Sequence, residues 1–176
     1  RPRNVALVRR GAAAASGRAE REWAALFDTV AVCFSKGLGA PIGSAVAGPR
    51  EWIERARYVR KRLGGGMRQV GIIAAGALYA LRHHRERLVE DHARARRLAS
   101  ALAGIPGYSV DPDQVETNTV VGQLTPEAAD PDLWVERLRE RGIGIVRFGA
   151  RALRLVTHLD LTDDGLDLAL RELRRT

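Results

Sequence analysis

Phe27-Asp28-Thr29-Val30-Ala31-Val32-Cys33-Phe34-Ser35-Lys36-Gly37-Leu38-Gly39-Ala40-Pro41-Ile42-Gly43-Ser44 joins an apolar run to a glycine-rich loop. Residues 29–34 form a continuous apolar run with β-branched members, the pattern of a strand buried on both faces of a parallel sheet. Three glycines and a proline then break the run into a loop, and residues 44–47 predict a second short strand. Lys36 stands where strand becomes loop. A glycine-rich backbone there can approach a planar, phosphate-bearing ligand closely, and Ser35 has a hydroxyl to donate to such a phosphate. An amine at the end of an apolar strand is expected to be desolvated, which suits a lysine that must form an imine. The same spacing also describes an ordinary surface lysine in a Gly-rich turn.

Residues 1–27 are rich in Ala and Arg, with a short helix expected over 20–26. Pro49 opens a helix over 50–63, since proline suits a first helical turn, and Gly64-Gly65-Gly66 ends it. A second helix is expected from 69 to 82, continuing through 86–103. Ile105-Pro106-Gly107 reads as a turn and a domain seam. Beyond it, strands at 119–124, 143–148 and 152–158 alternate with a helix at 131–141 and a final helix capped by Thr162. The fold class is therefore α/β, with residues 1–104 as one domain, including a linking helix, and residues 105–176 as a small α/β domain.

The 176 residues, 45% of them hydrophobic, suffice for one full domain or two small ones. No apolar stretch is long enough to span a bilayer, and the apolar run within residues 1–10 is too short for a signal peptide. The lone Cys33 excludes an internal disulfide and fits a reducing, cytoplasmic setting. It reads as a core filler, and no metal-ligand set is assigned. The net charge of +8 suggests nucleic acid, but the basic residues alternate with acids along helices and no aromatics interleave to stack bases. A solvated face, with neither nucleic acid nor membrane as partner, is the expectation. Of 29 basic residues only Lys36 and Lys61 are lysines. Arginine can replace lysine wherever any cation serves, but not where a primary amine must lose its proton and attack a carbonyl.

The opening stretch closely resembles the cofactor-lysine segment of the low-specificity L-threonine aldolases, members of the β-eliminating lyase group of fold-type-I enzymes dependent on pyridoxal 5′-phosphate (PLP). Two further segments match in order. Gly64-Gly65-Gly66-Met67-Arg68-Gln69 is similar to the family's Gly-Gly-Gly-Met-Arg-Gln signature. Arg154-Leu155-Val156-Thr157-His158 is similar to its C-terminal Arg-Leu-Val-Thr-His motif. The resemblance runs from about residue 12 to the end of the chain. It implies the C-terminal part of a PLP-binding large domain, with a parallel-rich sheet, followed by a small α/β domain. It further implies retro-aldol cleavage of β-hydroxy-α-amino acids, threonine giving glycine and acetaldehyde, in a homodimer or homotetramer with shared active sites.

By matched position, Lys36 would hold PLP as a Schiff base and Ser35 would contact its phosphate. Arg68, with Lys61 nearby, would reach the phosphate of a neighbouring subunit, and Arg154 would pair with the substrate carboxylate. From the residues alone, Lys61 and Arg68 also read as a basic patch at a helix end, and Arg154 as an exposed strand arginine beside Arg147 and Arg151. His158 receives no role, and His83 and His84 are expected to face solvent from a helix.

The sequence departs from the family pattern upstream. Ala12-Ala13-Ala14-Ala15-Ser16-Gly17 resembles the start of the helix that follows the family's Asp-Gly-Ala-Arg segment. The aspartate position, which pairs with the pyridine nitrogen, falls near Val5 and the arginine near Val8; no acidic residue precedes Glu20. The chain thus resembles the C-terminal half of an aldolase, and the strand bearing Lys36 is expected to show an exposed edge and an uncovered face. A catalytically inactive remnant acting as a binding or dimerisation module, and a basic nucleic-acid-binding domain, are the alternative readings.

Overall fold

The computed structural model describes residues 5–7 and 10–175. The chain runs β1 (Val5–Leu7), α1 (Arg10–Ser16), α2 (Glu20–Ala24), β2 (Thr29–Cys33), β3 (Ser44–Ala47), α3 (Arg50–Arg62), α4 (Gly71–His83) and α5 (Leu88–Leu102). It continues through β4 (Tyr108–Ser109), β5 (Thr119–Leu124), α6 (Pro131–Glu140), β6 (Val146–Arg147), β7 (Ala152–Val156) and α7 (Asp163–Leu173). Two compact units result, Arg1–Leu88 and Val89–Thr176. Val5, near which the family's aspartate position falls, is in β1; Val8, near which its arginine position falls, lies outside the described residues. No helix among the described residues is long and apolar enough to cross a membrane.

In the first unit β2 is the central strand of the order β1-β2-β3. It pairs in parallel with β1, from Val5↔Thr29 to Leu7↔Ala31, and antiparallel with β3, from Val30↔Ala47 to Cys33↔Ser44. The parallel pair is joined through α1 and α2. The loop between β2 and β3 carries no crossover helix, so the chain returns antiparallel. The expected open edge therefore does not fall on the strand bearing Lys36; β1 and β3 form the edges. The expectation of burial on both faces holds only at its start: Thr29 and Val30 are buried, Ala31 to Cys33 are half-buried, and β3 is exposed throughout.

α3 starts one residue after Pro49 and ends in a Schellman turn, where Gly64 takes φ +83°. The Gly65 N–H donates to the Arg60 carbonyl at 2.8 Å and the Gly64 N–H to that of Lys61 at 3.1 Å, satisfying carbonyls the helix end leaves open. The helix expected to continue from 69 to 103 is instead two, α4 and α5. The break turns Leu88 into an apolar cluster with Leu38, Ala40, Ala77 and Ala80.

The second unit is a four-stranded antiparallel sheet in the order β4-β5-β7-β6. Its core joins Val120, Leu124, Leu153 and Leu155 of the sheet to Ala95, Leu98, Ala99 and Leu102 of α5, Trp134 and Leu138 of α6, and Leu166 and Leu173 of α7. The seam expected at Ile105-Pro106-Gly107 puts α5 in the first domain, whereas these buried residues pack it in the second unit. The Thr162 hydroxyl caps α7 by accepting from the Gly165 N–H at 3.1 Å, as expected. The Arg94 guanidinium donates to Asp163 at 2.9 Å, tying α5 to α7. The buried Thr157 hydroxyl donates to the Asp91 carbonyl at 2.6 Å, and the Asn118 amide donates to the Thr157 carbonyl at 2.7 Å.

Tyr108 lies over Gly122, and burial pushes its phenol up to about 12. A Cβ at Gly122 would stand 2.2 Å from Tyr108 Cε1. The ring, packed near Trp134, cannot withdraw without opening the core. Gly122→Ala is therefore expected to destabilise the chain by about 1–3 kcal/mol, read as a lower urea midpoint at unchanged slope.

Candidate active site

The loop after β2 is built to present Lys36. Leu38 and Ala40 are buried, at 2% and 5% exposure, and alternate with the exposed Lys36 and Gly39. The Ala40 N–H donates to the Phe34 carbonyl at 3.0 Å, the Gly39 N–H to that of Lys36 at 2.8 Å, and the Phe34 N–H to that of Gly43 at 2.9 Å. Gly39 takes φ +67°, a left-handed conformation that costs glycine least. A Cβ at Gly37 would meet Leu88 Cδ2 at 3.0 Å, so the backbone beside the lysine lies close against its support. The desolvation expected at Lys36 is not found in this chain: apolar side chains turn in from the loop and the lysine turns out.

Ser35, also exposed, has its hydroxyl 3.3 Å from Cys33 Sγ. Cys33 is half-buried and not the core filler expected, because β2 lacks full cover at this end. Its thiol is held below the ordinary range, chiefly by the hydrogen bond with the Ser35 hydroxyl and with a smaller contribution from the Lys36 charge. A lowered pKa means more thiolate at neutral pH. Alkylation of Cys33 should therefore rise with a midpoint below the roughly 8.5 of a free thiol, and Ser35→Ala should move that midpoint upward. A midpoint that Ser35→Ala leaves in place would contradict this account of the thiol.

His83 is exposed as expected, but His84 is half-buried at the C-terminal cap of α4. Its Nδ1 lies 2.7 Å from the Leu38 carbonyl. Nothing in the sequence pairs these residues, which stand 46 positions apart.

Lys61 and Arg68 flank the turn between α3 and α4, and both are exposed. The triple glycine brings Lys61 back onto the turn: a Cβ at Gly66 would lie 2.8 Å from Lys61 Nζ. Around them Leu63, Met67, Val70 and Ile72 expose apolar side chains, Leu63 at 82% and Ile72 at 80%. No hydrogen bond or ion pair among the described residues joins Ser35 or Lys36 to Lys61 or Arg68.

Arg154 belongs to the second unit, on β7 between Val121 of β5 and Val146 of β6. Leu153 and Leu155 point into the core, so Arg154 lies on the opposite face of the sheet. There its guanidinium lies 5.4 Å from the centre of the Phe148 ring, while Phe148, Val121, Val146 and Val156 are exposed. Three arginines are close in sequence, and the structure separates them. Arg151 donates to the carbonyls of Leu124, Thr125 and Ala128. Arg147 donates to Asp132 and to the carbonyls of Gly149 and Ala150. Arg154 alone of the three has a buried nitrogen, Nε, with no hydrogen-bond partner. An unpaired buried donor costs about 1–3 kcal/mol; the terminal nitrogens of the same guanidinium make no hydrogen bond among the described residues, which leaves the planar fork free for an acceptor.

Comparison with known proteins identifies a family and a fold. Residues 10–125 match the model of the beta-eliminating lyase family. Low-specificity L-threonine aldolase 1 of Arabidopsis thaliana is 40% identical over 147 residues, which are 81% of this chain and 40% of that protein. A solved structure from Exiguobacterium sp. 255-15, described as an aromatic amino acid beta-eliminating lyase/threonine aldolase, superposes with TM-score 0.76 at 24% identity over 94% of this chain and 49% of that one. The ornithine aminotransferase of Toxoplasma gondii, whose active site holds PLP at partial occupancy, superposes with TM-score 0.59 at 20% identity over 85% of this chain and 36% of its own. The chain thus spans half or less of the length of these proteins.

Proposed function

This chain belongs to the β-eliminating lyase family, and on that premise we propose that it forms the C-terminal portion of a PLP-dependent aldolase. The reaction is retro-aldol cleavage of β-hydroxy-α-amino acids, with L-threonine giving glycine and acetaldehyde. The observation that carries the reading is the Arg154 guanidinium, which makes no hydrogen bond or ion pair among the described residues while its neighbours Arg147 and Arg151 are engaged. A substrate carboxylate accepting from the two terminal nitrogens would pair with the guanidinium at two points, and a two-point grip also fixes the orientation of the Cα bond to be broken. The Phe148 ring beside the guanidinium limits the directions in which the fork can turn.

The residues present fit PLP at its carbonyl and phosphate ends. Lys36 would hold it covalently from a loop anchored by Leu38 and Ala40, and Ser35 would contact its phosphate. Arg68 and Lys61 would reach the phosphate from a neighbouring copy in a homodimer or homotetramer. Support for that interface comes from the exposed Leu63, Met67, Val70 and Ile72 around them, since such apolar patches mark association surfaces. When bound, PLP supplies the electron sink for the α-carbanion that cleavage leaves. The position matched to the ring-nitrogen aspartate falls near Val5, in a run of apolar residues. That observation favours the second reading, a dimerisation module without catalysis.

One experiment decides between the two. The chain is combined with the preceding portion of the Arabidopsis aldolase, PLP and L-threonine, and glycine is measured. Glycine formed only when both parts are present supports the aldolase; a stable, PLP-bearing assembly that leaves threonine intact contradicts it and favours the module.

A further inference from the structure

We propose that His84 is a positioning residue for Lys36, acting through the Leu38 carbonyl; the inference rests on reading Lys36 as the cofactor lysine. A carbonyl oxygen only accepts, so the 2.7 Å contact requires the proton on His84 Nδ1. That length is at the short end for N–H···O. The contact is partly buried, which limits competition from water.

Leu38 is thereby held at two points. Its side chain, 2% exposed, packs with Ala40, Ala77, Ala80 and Leu88, and its carbonyl is gripped by His84. Leu38 stands two residues after Lys36, in a loop whose other hydrogen bonds, Gly39 to Lys36 and Ala40 to Phe34, stay within the loop and the end of its strand. The His84 bond instead runs to α4. The imidazole is itself fixed: its backbone N–H donates to the Ala80 carbonyl at 2.9 Å, and its ring meets Tyr79 edge-on, with centroids 5.5 Å apart and planes at 82°. A rigid helix end, a ring with one allowed tautomer and a pinned carbonyl thus set where the loop presents the lysine amine.

The chain contains only two lysines, Lys36 and Lys61, so each reports on the other. The full chain is treated briefly with limiting PLP, reduced with borohydride and digested, and the phosphopyridoxyl adduct on each lysine is quantified by mass spectrometry. Wild type is expected to label Lys36 faster than Lys61. His84→Phe keeps ring volume and the Tyr79 contact but removes the donor, and should lower the Lys36:Lys61 ratio by about fivefold, the equivalent of one net hydrogen bond. His84→Asn, which keeps an N–H donor, should restore most of it.

A ratio unchanged in His84→Phe, or lowered equally in His84→Asn, overturns the positioning role. Wild-type labelling of Lys36 no faster than Lys61 overturns the reading of Lys36 itself, so the two failures are distinguishable. The imidazole nitrogen spectrum of the unaltered chain is a check that needs no variant to fold. It should show a protonated Nδ1 at His84, and a bare Nδ1 there overturns the proposal.

Discussion

Lys36→Arg should lower glycine formation in the two-part assay by about a thousandfold or more, the scale on which enzymes lose rate when a covalent nucleophile is removed. The substitution keeps the positive charge and most of the side-chain length, so it isolates the chemistry. A guanidinium does not lose its proton in a protein and cannot form the imine. The side chain is exposed and makes no hydrogen bond within the described residues, so stability should change by less than about 0.5 kcal/mol. A large loss of activity with unchanged unfolding is the pairing expected. Lys61→Arg is the control, because a phosphate contact tolerates another cation and the loss there should be far smaller.

The second large effect falls on Arg154. Arg154→Lys keeps a charge but replaces the planar fork with a point donor. Hydrogen bonds to charged groups are worth about 1.5–3 kcal/mol, so KM for threonine should rise by about 10–100-fold. Arg154→Met should lose carboxylate binding further, yet leave the chain as stable or more so. The reason is that the wild-type Nε is buried without a partner, and an apolar side chain of similar length leaves no donor unsatisfied. Equal losses of binding and stability in Arg154→Met would mean that the arginine serves the fold and not a ligand. Arg151→Met should show that opposite pattern, because its guanidinium ties down the segment after β5 through backbone carbonyls.

The features legible in the sequence are those governed by local chemistry. The β-branched run and the glycines after it place β2 and its loop almost to the residue. Pro49, the triple glycine and Thr162 place the ends of α3 and the start of α7, because caps are satisfied by immediate neighbours. The break between α4 and α5 was not legible. No glycine or proline lies between Gly76 and Gly104, and the chain turns there because Leu88 is drawn into a cluster assembled from the Lys36 loop and α4.

The site divides in the same way. Lys36 stands out by its surroundings. Arg147, Arg151 and Arg154 are chemically alike in the sequence, and only strand register and hydrogen bonding single out the one with an unmatched nitrogen. His84 left no local signal, since its partner is a backbone carbonyl in a distant segment. The expected desolvation of Lys36 did not follow from the apolar strand before it, because the loop turns Leu38 and Ala40 inward and the lysine outward.

Whether Lys36 carries the cofactor is read from the visible spectrum of the purified chain mixed with PLP, set against that of Lys36→Ala. Wild type is expected to show a protein-bound visible absorbance that is lost in the variant. Full retention of that absorbance by Lys36→Ala would contradict the assignment of Lys36, and its absence from wild type would contradict the claim that this chain holds the cofactor.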